Sequence, residues 1–165
     1  ASCGILFNHE RERRGGRFVT KKITKYVAQL YNHIQSGEDP KSYPELRLGN
    51  LDAQRDWGHA EDYVRAMWLI LQEDKPDDYV IATGTTHSVK DFLEAAFSKI
   101  GIEDYTDFVV QDPKFMRPSE VPYLKGNYSK ARVVLGWDPS VGFEELVSRM
   151  VSYDIKQVKT KEIVG

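Results

Sequence analysis

Cationic side chains in irregular segments are the residues of this sequence best suited to chemistry. The stretch from Asn8 to Lys25 contains only two acids, Glu10 and Glu12, beside seven cations: Arg11, Arg13, Arg14, Arg17, Lys21, Lys22 and Lys25. Arg55 and Arg117 lie in two later polar segments. The planar guanidinium fork of Arg matches the geometry of phosphate and carboxylate groups. If these segments converge, they form a site for a diphosphate.

The element that positions the first cations is a helix. Apolar residues recur at three- and four-residue spacing from Phe18 onward and predict one buried face, formed by Val19, Ile23, Val27, Leu30 and Ile34. Gly37 ends the predicted helix. Lys21 and Lys22 therefore fall near its N-terminus, where the macrodipole is already positive and acidic residues are favoured. The sequence predicts that something anionic binds there.

Each of these signals also has a plainer explanation. A run of charges is commonly a solvated surface. Arg55 and Asp56 can form a structural ion pair beside Trp57, and Glu120 can simply neutralise Arg117. The large apolar side chains Trp68, Met116 and Trp137 are expected in the core rather than at a ligand.

Short strands and helices alternate along the chain, which predicts the α/β class. The apolar run from Cys3 to Phe7 is typical of a strand buried on both faces of a parallel sheet, with Cys3 as a small core residue. The polar cluster from Asn8 to Arg17 is expected to leave the sheet. Further strands are predicted near residues 46–48, 79–82 and 108–110, and further helices after His59, from Ser88 to Gly101, over 129–135 and from Phe143. Ser88 and Asp91 predict an N-terminal capping box for the helix that ends at Gly101.

Two of these helices carry more detailed predictions. The helix after His59 is expected to turn Tyr63, Val64, Met67, Trp68 and Leu71 toward the core. The last helix is expected to fray in the polar tail after Lys156.

Composition bounds the function. With 165 residues, 41% hydrophobic residues and a net charge of −2, one domain is expected. There is no apolar run of roughly 20 residues for a membrane span and no secretory signal pattern, so a soluble, cytoplasmic protein is expected.

Cys3 is the single cysteine, which excludes a disulfide or thiolate-metal framework. The sequence contains no Gly-rich phosphate loop and no zinc-ligand spacing, and no obvious catalytic centre is expected.

Four segments in order carry a resemblance to a known family. They are NHERERRGGRFVTKKIT, LGNLDAQRDWGHAEDYVRAMW, IATGTTHSVKDF and RPSEVPYLKGNYSKARVVLGWDPSVGFEELV. Together they resemble the C-terminal half of the GDP-mannose 4,6-dehydratase family. The resemblance implies the C-terminal part of a Rossmann-type extended short-chain dehydrogenase/reductase, comprising its last parallel strands and its smaller mixed α/β substrate-binding domain.

The resemblance also implies an activity and a division of labour. Members of the family convert GDP-mannose to GDP-4-keto-6-deoxymannose with a tightly held NADP. In the family, the dinucleotide loop and the catalytic Thr, Glu, Tyr and Lys lie upstream of the segment that matches Ala1 to Asn8. Residues 1–165 are therefore expected to be the substrate-binding portion and to be inactive alone. Residues 1–36 and parts of 46–84 are expected to pack on a Rossmann core.

Site residues follow from the resemblance position by position. His9 and Arg14 are expected to contact NADP, and the GDP-sugar is expected to contact Asn8, Val19, Lys22, Leu48, Gly49, Asn50, Arg55, Arg117 and Glu120. Among these, Arg55 and Arg117 would hold the diphosphate and Glu120 would accept hydrogen bonds from the guanosine ribose. No metal ligand is expected.

The family's Arg-rich loop implies assembly. It reaches toward a neighbouring subunit's cofactor, so a homo-oligomer, dimer or tetramer, is expected through residues Arg11–Arg17. Here Arg11 and Glu12 stand where the family usually has a small polar residue and Pro.

Alternative functions belong to other classes. One is another nucleotide-sugar dehydratase or epimerase of the same superfamily, and another is a non-catalytic nucleotide-sugar-binding or oligomerisation module. Nucleic-acid binding is disfavoured. Asn8 to Lys25 carries five net positive charges, so with a total of −2 the rest of the chain carries about seven net negative ones, which repel a polyanion.

Overall fold

The computed structural model describes residues 1–116, 119 and 121–164, with side chains as far as Lys159. The described residues confirm the α/β class. They form the strands β1 (Cys3–Leu6), β2 (Asn8–Glu10), β3 (Leu46–Leu48), β4 (Gln54–Arg55), β5 (Trp57–His59), β6 (Asp78–Ile81), β7 (His87–Ser88), β8 (Val109–Gln111) and β9 (Tyr123–Leu124). Their helices are α1 (Val19–Gln35), α2 (Ala60–Ile70), α3 (Val89–Ser98), α4 (Ser129–Leu135) and α5 (Phe143–Val164).

Strand pairing is mostly parallel. β1 pairs with β6, β2 with β5 and β3 with β8, each in parallel. The short strand β4 pairs antiparallel with β7 and parallel with β9. Parallel neighbours need long crossover connections, usually helical, and α1 lies in the connection between the paired strands β2 and β5. These pairings bring the polar ends of several strands close to the start of α1.

The larger core lies among α1, α3 and α5. The predicted face of α1 is confirmed, because Ile23, Val27 and Leu30 are fully buried. They pack in one cluster with buried side chains of the other two helices, Phe92, Leu93, Phe97, Leu146, Val147 and Met150. Gly37 follows the helix with φ of 85°, a left-handed conformation that glycine adopts without strain. The N-terminal capping box predicted for α3 is present, with Ser88 and Asp91 bonded reciprocally.

A second core cluster lies under α2. Tyr63, Ala66 and Ile70 of this helix pack with Ile81 and Trp137. The Trp137 Nε1–H donates to the Asp62 carbonyl at 2.8 Å. The Asp62 carboxylate accepts from the backbone N–H groups of Ser140 at 2.9 Å and Val141 at 3.0 Å. Buried polar contacts therefore fix α2 to the loop before α5.

The outer face of α2 contradicts the prediction. Tyr63 is buried as expected, but four other residues predicted for the inner side are exposed, with exposed fractions of 61% for Val64, 41% for Met67, 60% for Trp68 and 78% for Leu71. The helix is apolar on two sides, and among the described residues the side of Tyr63, Ala66 and Ile70 is the one that packs in a core. Hydrophobic spacing alone did not reveal which side that is.

The first two strands also differ from prediction. Cys3 to Leu6 is a strand, but Cys3, Gly4 and Ile5 are exposed, because within the described chain β1 pairs only with β6 and its faces are not packed as in an inner sheet strand. The polar residues Asn8–Glu10 leave the β1–β6 pair as predicted, but they are themselves a strand. They form β2, and their backbone groups are paired with β5.

The last helix is longer than predicted. Its backbone is helical from Phe143 to Val164, whereas fraying was expected after Lys156. No Pro or Gly interrupts the sequence between Lys156 and Val164, so nothing local ends the helix. In the described part of the chain, no helix combines the length and apolar character needed to cross a membrane.

Candidate functional site

A cavity of about 660 Å³ lies where β2, the start of α1, the β3–β4 connection and residues 114–116 meet. We call it the main cavity. Seven of the predicted substrate-binding residues line it, namely Asn8, Val19, Lys22, Leu48, Gly49, Asn50 and Arg55. The other two, Arg117 and Glu120, lie outside the described residues. The structure thus brings together residues from three separate segments, while their binding role stays a prediction.

Lys21 and Lys22, adjacent in sequence, have different environments. The exposed Lys22 lines the main cavity, and its Nζ lies 5.5 Å from the centroid of the Phe115 ring. Lys21 forms an ion pair with the buried Asp154 of α5, and its Nζ donates to the Glu12 carbonyl at 2.7 Å. The anion expected at the helix start is, for Lys21, the Asp154 carboxylate of the chain itself. For Lys22, which faces the main cavity, it stays a prediction.

Hydrogen bonds of Arg55 and Asp56 hold one wall of the main cavity in place. The Arg55 Nη1 donates to the carbonyls of Gln54 and Val121, both at 2.7 Å. The neighbouring Asp56 is fully buried. Its carboxylate accepts from four donors, the Thr83 N–H and hydroxyl, the Gly84 N–H and the Gly126 N–H, at 2.7 to 3.2 Å. Asp56 therefore anchors this wall to two other segments.

The opposite wall is a short 3-10 turn, Pro113–Phe115, packed on Gly49. A Cβ at Gly49 would lie 2.4 Å from the Phe115 carbonyl oxygen, so this close approach requires glycine. The Asp112 side chain caps the turn by accepting the Lys114 N–H at 2.9 Å, and its own N–H donates to the Leu48 carbonyl at 2.8 Å. The turn is therefore held directly beside residues 48–50.

Glu10 is a buried carboxylate in the main cavity wall. It is 1% exposed, accepts the Thr20 hydroxyl at 2.7 Å and pairs with the Arg14 Nε at 3.0 Å. Burial raises the pKa of Glu10, and the contacts with Thr20 and Arg14 oppose that rise only in part. Sequence reasoning missed this residue, because residues 8–17 were predicted to leave the sheet.

A second cavity, of about 380 Å³, adjoins the first. It is lined by Leu6, Phe7, Asn8, His9, Arg14 and Leu124, so both predicted cofactor contacts border it. The Arg14 guanidinium carbon lies 3.4 Å from the Phe18 ring centroid. The His9 Nδ1 lies 2.8 Å from the Phe7 carbonyl and donates to it, because a carbonyl only accepts. Asn8 borders both cavities.

The loop Arg11–Arg17 is largely exposed, apart from Glu12 and Arg14. The Glu12 carboxylate lies 3.6 Å from Nε2 of the buried His59. His59 in turn caps α2, its Nδ1 accepting the Glu61 N–H at 3.3 Å. Burial opposes ionisation of Glu12, but its backbone hydrogen bond and His59 bring its pKa below the ordinary value. Glu12 therefore ties the loop to α2.

Tyr63 is a fully buried tyrosine whose ring lies 5.1 Å from the ring of His9, between centroids. Burial raises its pKa, and the carboxylates of Asp56, Asp62 and Glu10 raise it further. A phenol with a raised pKa stays protonated at neutral pH and does not serve as a base. The fully buried Tyr63 ring packs against His9 and Trp137 instead.

Several further lining residues were not predicted. They are Glu10, Arg17, Phe18, Thr20, Arg47, Ala53, Trp57, Val89, Lys114, Phe115 and Met116. Met116 was expected in the core, but it is 43% exposed and borders the main cavity. Pro113, which favours a turn, was the available signal for this wall. Trp137 is fully buried as predicted, whereas Trp68 is not.

Comparison with known proteins places this geometry in a family. A sequence profile described as GDP-mannose 4,6 dehydratase matches residues 1–150. GDP-mannose 4,6 dehydratase 1 of Arabidopsis thaliana is 48% identical over 165 residues, covering 100% of this chain and 43% of the relative. The Homo sapiens GDP-mannose 4,6 dehydratase is 45% identical over 174 residues, covering 95% of this chain and 44% of the relative. The chain spans less than half the length of these relatives.

Solved structures agree with the predicted fold. RMD from Pseudomonas aeruginosa, complexed with NADPH, superposes with a TM-score of 0.75 at 20% identity, covering 93% of this chain and 48% of the other. UDP-glucose 4-epimerase from Thermotoga maritima, with UDP-glucose, superposes with a TM-score of 0.73 at 23% identity. The match covers 94% of this chain and 46% of the epimerase chain. At such identities the likeness shows the fold alone, and it agrees with the expected Rossmann-type α/β fold over about half of each solved chain. With the profile match over residues 1–150, this chain belongs to the GDP-mannose 4,6-dehydratase family.

Proposed function

We propose that this chain is the GDP-sugar-binding portion of an NADP-dependent GDP-mannose 4,6-dehydratase, a lyase that converts GDP-mannose to GDP-4-keto-6-deoxymannose. One observation carries the proposal: seven residues predicted to bind the sugar nucleotide, drawn from three segments, line one cavity. Family membership supplies the substrate class. The cavity volume of about 660 Å³ lies within the usual range for small-molecule sites.

The charge of the main cavity suits a diphosphate. Five cationic side chains line it, Arg17, Lys22, Arg47, Arg55 and Lys114, whereas Glu10 is the one carboxylate among its described lining residues. Arg presents a fork that fits two phosphate oxygens, and Lys adds a mobile point charge. In this proposal Arg117 joins Arg55 on the diphosphate, and Glu120 accepts hydrogen bonds from the ribose.

The second cavity suits part of a dinucleotide. Arg14 offers a guanidinium for a phosphate, and its Nε contact with Glu10 and its contact with the Phe18 ring hold it in place. His9 and Arg14 would hold NADP, which supplies the hydride acceptor when bound. Asn8 belongs to both cavities, so it would orient the sugar nucleotide beside the cofactor. RMD, a structural neighbour, is complexed with NADPH.

The chain's own part in the reaction is then binding and orientation. Among the described residues, the buried Tyr63 has a raised pKa and is unsuited to act as a base. We therefore assign proton and hydride transfer to the part of the family's length that this chain does not span, and we expect the 165-residue chain alone to be inactive.

Two uncovered surfaces support a docking arrangement with that part. β1 is exposed at Cys3, Gly4 and Ile5, and the outer face of α2 exposes an apolar stripe. Exposed apolar patches of this kind mark interaction surfaces. We propose that residues 1–36 and parts of 46–84 pack on a Rossmann core through these surfaces.

Assembly into a homo-oligomer is proposed through the loop Arg11–Arg17. Arg11 and Arg13 are exposed, which leaves them available to a neighbouring subunit. The contact between Glu12 and His59 fixes the base of the loop to α2.

A binding experiment tests the proposed function. Calorimetric titration of the chain should show that GDP and GDP-mannose bind more tightly than UDP-glucose and raise the melting temperature. Arg55→Ala should weaken GDP binding by about 10-fold or more, since a charged hydrogen bond to the diphosphate is lost. Arg132→Ala removes an equally cationic but distant side chain, on α4, and serves as the control.

Two results count against the proposal. Unchanged GDP affinity in Arg55→Ala would remove the diphosphate role of the main cavity. Preference for UDP-glucose over GDP-mannose would favour another nucleotide-sugar dehydratase or epimerase of the same fold.

A further inference from the structure

Three aromatic rings border the main cavity, and their accessibility differs. Trp57 is 3% exposed, and its ring packs against Phe92 at a centroid distance of 5.4 Å. Phe18 is 46% exposed, but the Arg14 guanidinium carbon already lies 3.4 Å from its ring centroid. Phe115 is 46% exposed, and the Lys22 Nζ lies 5.5 Å from its ring centroid. Among the described residues that line the cavity, Phe115 therefore has the aromatic ring most open to a flat ligand.

The backbone of Phe115 is firmly placed. Its carbonyl packs on Gly49 so closely that no Cβ fits between them. Pro113 begins the turn, Asp112 caps it, and Arg47 pairs with the Asp112 carboxylate at 3.5 Å. A half-exposed aromatic side chain on a rigid turn loses little freedom when a ligand stacks on it.

The residues around the Phe115 ring suit a bound nucleotide. Residues 48–50 lie beside the turn, and Lys22 stands next to the ring. A base stacked on Phe115 would therefore place its attached phosphates among the cations of the main cavity. Aromatic stacking accepts any base because every base has a π-face, and a purine offers the larger surface.

We propose that Phe115 is the stacking platform for the purine base of the nucleoside diphosphate, and hence a specificity-determining residue. This inference rests on the proposed function. It adds a contact that recognises the base, whereas Lys22 and Arg55 recognise the charge of the diphosphate.

Titration of the 165-residue chain with GDP and, separately, with pyrophosphate tests the inference. Phe115→Leu should bind GDP between about 5-fold and 100-fold more weakly, the usual range for loss of one base-stacking contact. Its pyrophosphate affinity should stay within about 2-fold of the wild type. Phe115→Tyr keeps the ring and should restore GDP affinity. A thermal melt of each variant checks folding.

The outcomes separate the two proposals. If the wild type binds GDP but Phe115→Leu binds it equally well, the stacking role is overturned and the proposed function stands. Equal weakening of GDP and pyrophosphate also overturns it, as does selective loss of GDP in Phe18→Leu but not in Phe115→Leu. If the wild type binds neither ligand, both proposals fail.

Discussion

The helices α1 and α2 each carry an apolar stripe, and the two stripes differ in how far they are buried. The stripe of α1 is buried inside the chain, with Ile23, Val27 and Leu30 fully inaccessible. The outer stripe of α2 is open to solvent, with Trp68 60% and Leu71 78% exposed. Hydrophobic spacing therefore predicts that a helix has an apolar face. It does not predict which part of the protein packs against that face.

The two regions also differ in how their polar groups are held. Around the start of α1, Lys21, Glu10 and Asp56 are each fixed by buried partners. On the outer stripe of α2, by contrast, Val64 is 61% and Met67 41% exposed in the part of the chain that the structure describes. Substitutions near α1 should therefore alter stability or ligand binding, whereas substitutions on the α2 stripe should alter association.

The largest effect is expected from Lys21→Met. This change leaves Asp154 buried without its counter-charge, which should lower the free energy of unfolding by about 3 kcal/mol. Lys21 itself is mostly buried, so solvent screens the pair little. Urea unfolding measures the loss.

Lys22→Met is the matched control one residue away. Its exposed side chain lines the main cavity, so the free energy of unfolding should change by less than about 0.5 kcal/mol while GDP affinity falls by roughly 10-fold. If Lys22→Met destabilises as much as Lys21→Met, the division between structural and cavity-lining cations is wrong.

A pH-dependent effect is expected at Glu10. Its pKa is raised above 4.5 by burial, so the folded chain binds this proton more tightly than the unfolded chain. The contribution of Glu10 to stability is therefore full below pH 4.5 and is lost as pH rises through the folded pKa. In Glu10→Gln, this decline should disappear from a series of urea titrations at increasing pH.

Glu12 should show the opposite pH dependence of stability. Its pKa is lowered below 4.5, so its contribution is present above pH 4.5 and is lost as pH falls through the folded pKa. Glu12→Gln should remove stability at neutral pH and leave acidic pH less affected. Parallel pH profiles for the two variants would show that the different burial of these carboxylates has no thermodynamic consequence.

The smallest change in stability is expected from Trp68→Gln. Trp68 is 60% exposed on the α2 stripe, so the free energy of unfolding should shift by less than about 0.5 kcal/mol. Self-association should nevertheless decrease, because an exposed apolar patch is reduced. Sedimentation velocity over a range of concentrations measures it. A loss of several kcal/mol would mean that Trp68 is packed within the chain.

Local patterns in the sequence predicted much of this fold. The spacing from Val19 to Ile34 gave α1, Ser88 and Asp91 gave the start of α3, and the apolar run at Cys3 gave β1. The exposure of β1 and the identity of the buried face of α2 could not be predicted, because they depend on which surfaces meet in three dimensions. Asn8–Glu10 was missed as a strand, since backbone pairing with β5 leaves no mark on side-chain polarity.

The candidate site was predictable in part for a similar reason. Lys22 and Arg55 stood out by charge, and the family resemblance added the uncharged residues Leu48 and Gly49. Phe115 carried no signal in the sequence. Its place at the main cavity depends on the absence of a side chain at Gly49, more than sixty residues earlier, which lets the turn approach.

The central claim is that the main cavity holds the nucleoside diphosphate of a GDP-sugar. A crystal structure of the chain soaked with GDP-mannose tests it most directly. We predict density for the diphosphate beside Lys22 and Arg55 and for the guanine against the Phe115 ring. Nucleotide bound elsewhere on the chain, with the main cavity filled only by solvent, would contradict the claim.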